Sequence, residues 1–103
     1  MIQSSTVKLA TMSKIMIVRQ HQLDSENARL AAEHVAVDLE KKFDLTCSWG
    51  EDGVLRFERP GVNGQLTLAN GEVSVDVSLG MFFMPFRAVL EQKIHEYFDR
   101  RFA

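Results

Sequence analysis

The sequence has a single cysteine, Cys47, so it cannot form an intramolecular disulfide. Such cysteine usage is typical of proteins in a reducing compartment. The longest apolar run is far shorter than the roughly 20 residues that a membrane-spanning helix needs. The first residues also lack the charged and apolar regions of a secretory signal. These absences predict a soluble, cytoplasmic protein without a transmembrane segment.

The chain also lacks an excess of positive charge. Its 12 Lys and Arg residues are outnumbered by 14 Asp and Glu residues, and the arginines are scattered among acids. A nucleic-acid-binding surface needs clustered Lys and Arg, so we do not expect one.

A chain of 103 residues with 46% hydrophobic and 25% charged residues has the size and composition of one globular domain. Because residues 1–12 are polar and unpatterned, we expect a flexible N-terminal tail over 1–12 and a single domain over 13–103.

Apolar periodicity predicts a strand and then a helix in the first part of the domain. Residues 15–18 form a short, β-branched run, which is typical of a strand. Asp24 or Ser25 can then serve as the N-cap of a helix. The residues of its inward stripe are spaced three or four positions apart along the helix: Ala28, Ala31/Ala32, Val35, Leu39 and Phe43.

Four short strands follow, because apolar and polar residues alternate in the segments around 47–49, 55–57, 66–68 and 73–79. The residues 51–53 predict a turn, and Pro60 to Gly64 predict a five-residue connection. Asn70-Gly71 predicts a two-residue hairpin loop with both residues at positive φ.

The last segment predicts a second helix, with Pro85 in its first turn. Its apolar stripe comprises Phe86, Val89, Leu90, Ile94, Tyr97, Phe98 and Phe102. The element order is then β-α-β-β-β-β-α. Since the strands have one apolar and one polar face, we predict an α+β fold in which a curved antiparallel sheet carries two helices on one face.

In this order the chain resembles the polyhydroxyalkanoic acid system protein family. The resemblance covers residues 12–102 and lies in "MSKIMIVRQHQL", "ARLAAEHVAVDLEKKF", "TCSWGEDGVLRFERPGVNGQLTL" and "VSLGMFFMPFRAVLEQKIHEYFDRRF". The family consists of short proteins encoded among genes for bacterial storage-polyester synthesis and breakdown. The resemblance therefore implies a role at or near the polyester granule, with the granule surface or its proteins as partner. It carries over no active-site residue.

No pattern of catalytic residues, metal ligands or cofactor-binding residues is present. His21, His34 and His95 are not spaced as metal ligands, and Cys47 faces inward as an inert thiol. Neither a hydrolase nucleophile elbow nor a phosphate-binding loop occurs. Arg56, Glu58 and Arg59 form a charged group that is either a solvated sheet face or a weak carboxylate site. We therefore expect a non-enzyme without catalytic residues, metal or cofactor.

The most concentrated apolar run contains Met81, Phe82, Phe83 and Met84, which we call the apolar tip. We expect Phe86 and one or two others in the core, and at least two large side chains exposed. Phe83 is the predicted exposed residue, to be tested beside Phe82. If the apolar tip is exposed, we expect it to contact an apolar surface or a second copy of the protein. The alternative is that it forms a small satellite core, closed by residues 21–23 and the N-terminal tail.

A second candidate surface lies on the outer face of the first helix. Leu30, His34 and Val37 form a narrow strip there, which is either ordinary surface or a self-association surface of a homodimer.

Three functions for the protein remain open. The leading one is a non-catalytic accessory protein of storage-polyester metabolism, associated with granules. The alternatives are a binder of an acyl chain between sheet and last helix, and a minor enzyme on hydroxyacyl substrates.

Overall fold

The computed structural model describes residues 12–102, and these form the predicted order of elements. The prediction of a flexible tail lies outside the described residues, except for Met12, which begins the first strand. The elements are β1 (Met12–Gln20), α1 (Ser25–Phe43), β2 (Thr46–Trp49), β3 (Leu55–Arg59), β4 (Val62–Ala69), β5 (Glu72–Gly80), a 3₁₀ helix (Met81–Phe86) and α2 (Arg87–Arg101).

The five strands form one antiparallel sheet in the order β1-β5-β4-β3-β2. β2 to β5 are consecutive neighbours, whereas β1 pairs with the last strand along its whole length. In that pairing Met12 lies opposite Gly80, and Gln20 lies opposite Glu72. The α+β prediction is confirmed. The register also shows that the end of β5 and the start of β1 lie at the same end of the sheet.

The core lies between the helices and one face of the sheet. Each inward residue of β5, namely Val73, Val75, Val77 and Leu79, is buried, and the intervening residues are only partly so. Each helix contributes a buried stripe with the 3.6-residue period, and on α1 this stripe comprises the predicted residues and Ala36, with Phe43 only partly buried. No polar or charged residue of the described chain is buried. Arg101 on α2 forms an ion pair of 2.9 Å with Asp38 on α1, which links the two helices above the sheet.

Local capping determines where α1 begins and ends. Asp24 is its N-cap and accepts a hydrogen bond of 2.8 Å from the Asn27 backbone N–H, as predicted. Asp44 ends the helix in the left-handed conformation at φ 60°. The short side chain of Asp tolerates this conformation better than most residues do. The chain thereby turns from α1 into Leu45 and β2.

Two turn predictions need correction. The Asn70-Gly71 loop has the predicted two residues, because Ala69 pairs with Glu72, but only Gly71 has positive φ (69°). In this turn the Gly71 carbonyl accepts a hydrogen bond from His21 N at 2.9 Å, so the turn also holds the end of β1.

The predicted five-residue connection is wrong, since only Pro60 and Gly61 lie outside the strands. Arg59 pairs directly with Val62, so residues 62–64 belong to β4. Gly64 suggested a loop from sequence, but its actual role is steric. A Cβ there would lie 2.4 Å from Cε2 of Phe57, whose ring occupies that space in the core.

The predicted start of the last helix is also wrong. Residues 81–86, Pro85 included, form a 3₁₀ helix, and α2 begins only at Arg87. Phe86 and Val89 are consequently exposed instead of buried. The rest of the predicted stripe is buried: Leu90, Ile94, Tyr97, Phe98 and Phe102. Neither helix in the described part of the chain has the length and apolar character needed to cross a membrane.

Candidate functional site

The 3₁₀ helix places the apolar tip at one end of the sheet, beyond β5 and beside the β3–β4 turn. The Gly80 N–H donates a hydrogen bond of 2.9 Å to the Gly61 carbonyl, which joins the start of the tip to that turn. At the other end of the 3₁₀ helix, Arg87 Nε donates to the Lys14 carbonyl at 3.1 Å. The tip is therefore anchored to strands on both sides.

Two residues of the tip extend into solvent. Phe82 is 81% exposed and Met81 is 68% exposed, whereas Phe83 and Met84 are partly buried. The expectation of at least two exposed large side chains is thus confirmed. The choice of Phe83 as the exposed residue is wrong. Alternation continued from Val77 and Leu79 would place Phe83 on the inward face, and the choice assumed that Gly80 and Pro85 redirect the chain. In the 3₁₀ helix, which has three residues per turn, Phe83 nevertheless packs against the core.

The aromatic side chains of this region form a continuous series. The ring of Phe83 contacts those of Phe82 and Phe86, with centroid separations of 5.4 and 6.0 Å. Val89, three residues after Phe86, is also exposed. We call Met81, Phe82, Phe86 and Val89 the tip surface. Phe86 was expected in the core, but at 52% exposure it extends this surface.

The satellite core is contradicted as far as residues 21–23 are concerned. His21 is bonded to Gly71 and packs on Phe102 with a centroid separation of 5.3 Å. Because β1 and β5 are antiparallel, this position is at the opposite end of the two strands from Gly80 and the tip. The part that the prediction assigned to the tail lies outside the described residues.

A cavity of about 350 Å³ lies behind the tip surface, and we call it the tip cavity. The sheet contributes Val62 and Leu79 to its apolar wall, and the 3₁₀ helix contributes Phe83 and Phe86. The wall is completed by Phe43, Leu45 and Leu90. Lys42, Asp44 and Arg59 also line it. It is therefore an apolar recess at the edge of the core with charged groups on one side.

Arg59 is the unusual member of this lining. Its NH1 donates a hydrogen bond of 3.0 Å to the Phe43 carbonyl, and its guanidinium carbon lies 5.0 Å from the centre of the Phe83 ring. Its Nε is buried and has no hydrogen-bond partner among the described residues. Sequence analysis placed Arg59 in a charged group with Arg56 and Glu58, but it did not predict the cavity that Arg59 lines.

The other arginine of that group has a different environment. Arg56 forms an ion pair of 2.8 Å with Asp52, and its hydrogen bond is the main cause that lowers the Asp52 pKa to about 2. Glu58 is exposed. The charged group therefore does not form one site, and only Arg59 lines the tip cavity.

The strip of Leu30, His34 and Val37 is exposed along α1, as expected. Its proposed role in self-association stays a prediction. His34 belongs to this strip and His21 packs on Phe102, whereas His95 Nδ1 lies 3.2 Å from NH1 of Arg19. Across residues 12–102, no three His, Cys, Asp or Glu side chains form a group that could hold a metal ion.

Cys47 is half-buried under α1, where its Sγ lies 3.7 Å from the Ala36 carbonyl oxygen. Desolvation raises the pKa of the thiol to about 12, and the neighbouring Glu40 carboxylate adds to the shift. A thiol with so high a pKa carries almost no thiolate near neutral pH, which is the opposite of an activated nucleophile.

Comparison with known proteins identifies the family but gives no relative of known structure. No curated protein and no solved structure matches the chain. A family model described as "Putative polyhydroxyalkanoic acid system protein" matches residues 15–102, which span the sheet, both helices and the tip. Because the match covers the described fold apart from the first three residues of β1, the chain belongs to the polyhydroxyalkanoic acid system protein family.

Proposed function

We propose that the protein is a non-catalytic accessory protein of polyhydroxyalkanoate metabolism that docks on the polyester granule through the tip surface. The observation that carries this proposal is the 81% exposure of Phe82 near the start of an anchored 3₁₀ helix. Exposed apolar patches on globular proteins are commonly contact surfaces. A storage polyester, in turn, offers an extended apolar surface in the cytoplasm.

The free energy available from such docking is sufficient for reversible binding. Complete transfer of one Phe or Met side chain from water to an apolar surrounding contributes about 1.5–3 kcal/mol. Phe82 and Met81 retain most of that contribution because little of either is buried in the folded chain. Phe86 and Val89 add part of theirs. Methionine suits an irregular polymer surface, since its side chain is flexible and polarizable.

The anchoring of the tip supports the same role. Phe83 packs against the core, and hydrogen bonds from Gly80 and Arg87 join the 3₁₀ helix to the β3–β4 turn and to β1. The domain can therefore present Phe82 without reorganising, which keeps the entropic cost of docking small.

The non-catalytic part of the proposal is supported by the environments of the nucleophilic and basic side chains. The Cys47 pKa is raised, His21 packs on an aromatic ring, and His95 faces an arginine. None of these arrangements resembles an activated nucleophile with its general base.

A pelleting assay with washed polyhydroxyalkanoate particles and the purified protein tests the proposal. We expect the protein to sediment with the particles, and Phe82→Ser to weaken binding about ten- to hundredfold through loss of one Phe contact. Because Phe82 is exposed, its change should alter the free energy of unfolding by less than about 0.5 kcal/mol. Phe83→Ser should instead cost about 2–3 kcal/mol, below the ~3–5 kcal/mol of a fully buried Phe.

Leu30→Ser is the matched control, because it removes an exposed apolar side chain that lies on α1 instead of the tip surface. It should leave pelleting unchanged. Undiminished pelleting of folded Phe82→Ser would overturn the proposed docking surface. If the wild-type protein binds only native granules that retain their proteins, its partner is a granule protein and direct docking on polyester is wrong.

A further inference from the structure

We propose that the tip cavity is a binding site for a free carboxylic acid with an apolar chain, and that Arg59 receives the carboxylate. This inference does not depend on docking of the tip surface, since it concerns a recess behind Phe83 and a ligand in solution. Phe86 belongs to both, but neither Phe82 nor Met81 lines the cavity. It rests on the donor groups of the Arg59 guanidinium that the described residues leave unused, on the apolar wall and on the charges beside the cavity.

The guanidinium of Arg59 has unused hydrogen-bonding capacity. Arginine carries five N–H donors, and only the bond from NH1 to the Phe43 carbonyl is formed with the described residues. A buried donor without a partner is destabilising, and more so when it belongs to a charged group. A carboxylate is the small ligand that best matches this donor set, because its two oxygens can accept parallel N–H bonds.

The rest of the lining defines the remainder of the ligand. The wall formed by Leu45, Val62, Leu79 and Leu90 offers no hydrogen bond to a polar chain, because these side chains are purely aliphatic. A cavity of about 350 Å³ lies within the range of small-molecule sites. The geometry thus combines one cationic end with an apolar interior, the complement of a fatty acid.

The charges beside the cavity favour a monoanion. Lys42 and Arg59 contribute two positive charges and Asp44 one negative charge, so the lining carries a single net positive charge. A phosphate ester or a dicarboxylate would leave a negative charge facing Asp44. A monocarboxylate is neutralised by the lining, and its chain then lies against the Phe83 ring and the core.

Titration of the ¹⁵N-labelled full-length protein with octanoate, below its micelle concentration, tests the inference by amide chemical shifts. We expect perturbations at Leu45, Arg59 and Leu90. The uncharged analogue 1-octanol should bind at least about tenfold more weakly, since a hydrogen bond to a charged group accounts for that factor. Equal binding of the two compounds, or the absence of shifts at the cavity, would overturn the assignment.

Two variants separate Arg59 from general charge effects. Arg59→Gln should reduce octanoate affinity to that of 1-octanol, whereas Arg56→Gln removes the same charge from the same strand and should have no effect. Equal losses in both variants would contradict a specific role of Arg59. If Arg59→Gln fails to fold, the comparison of octanoate with 1-octanol on the wild-type protein still decides whether the cavity recognises the carboxylate. Pelleting reports on docking separately, so the two proposals can fail independently.

Discussion

Gly61 is the residue on which the position of the tip depends most directly. Its φ of 86° lies in the left-handed region, and a Cβ there would lie 2.8 Å from Cδ2 of Phe83. Glycine is thus required twice, for the turn and for the ring that rests on it. Gly53 has a similar φ of 79°, but no atom of the described residues would lie within 4 Å of a Cβ at that position.

This pair predicts a difference in stability. Gly53→Ala should cost about 1–2 kcal/mol from left-handed strain alone. Gly61→Ala carries the same strain and must also displace Phe83, which adds roughly 1–3 kcal/mol of overpacking. Urea unfolding monitored by circular dichroism measures both. Equal losses in the two variants would mean that Phe83 does not rest on Gly61 in solution.

Cys47 gives a second prediction at the residue scale. With the thiol pKa raised from 9.0 to about 12, the thiolate fraction at pH 8 is about a thousandfold smaller in the folded protein than in urea. A more basic thiolate is also more nucleophilic, which offsets part of this factor, so labelling by a disulfide reagent should be roughly thirty- to a hundredfold slower in the folded protein. The raised pKa stabilises the folded state below pH 9, and this contribution is lost as the pH rises from about 9 to 12. Native labelling as fast as unfolded labelling would contradict the burial of the thiol.

At the scale of elements, the buried residues could be predicted where the apolar residues recur with a clear period. Helix α1 and strand β5 have clear periods of 3.6 and two, and these periods predicted every buried residue of the two elements except Ala36. Phe43, also predicted to face inward, is only partly buried. The segment of Met81 to Phe86 contains almost only apolar residues, so neither period is visible in it. Its 3₁₀ conformation follows from tertiary contacts with the β3–β4 turn and β1, which sequence periodicity does not contain.

Helix α1 also carries the strip whose role remains a prediction. If Leu30, His34 and Val37 mediate self-association, then Leu30→Glu should shift the protein from dimer to monomer in sedimentation velocity experiments, because it places charges in the contact. Glu26→Gln, an exposed change on the same helix, is the control. A wild-type protein that remains monomeric at high concentration would show that the strip is ordinary surface.

At the scale of the whole molecule, the tip cavity could not be predicted because its residues converge from separate segments. Leu45 follows α1, Arg59 ends β3, and Phe83 lies in the 3₁₀ helix. The sequence indicated a charged group at Arg59 and an apolar run at Phe83. The distance of 5.0 Å between the Arg59 guanidinium carbon and the centre of the Phe83 ring depends on the register of β3 and β4 and on the β3–β4 turn. The length of that turn was predicted wrongly.

Docking through the tip surface predicts how binding responds to salt. The chain carries a net charge of −2, and Met81, Phe82, Phe86 and Val89 have no charge, so contact with polyester should be driven by apolar burial. Raising NaCl to about 1 M shortens the Debye length to ~3 Å and screens interactions between exposed charges. Pelleting with polyester particles should therefore persist, while adsorption of a basic control protein to anionic particles is lost. Release of the protein at this salt concentration would show that charged residues outside the tip surface hold it on the particle.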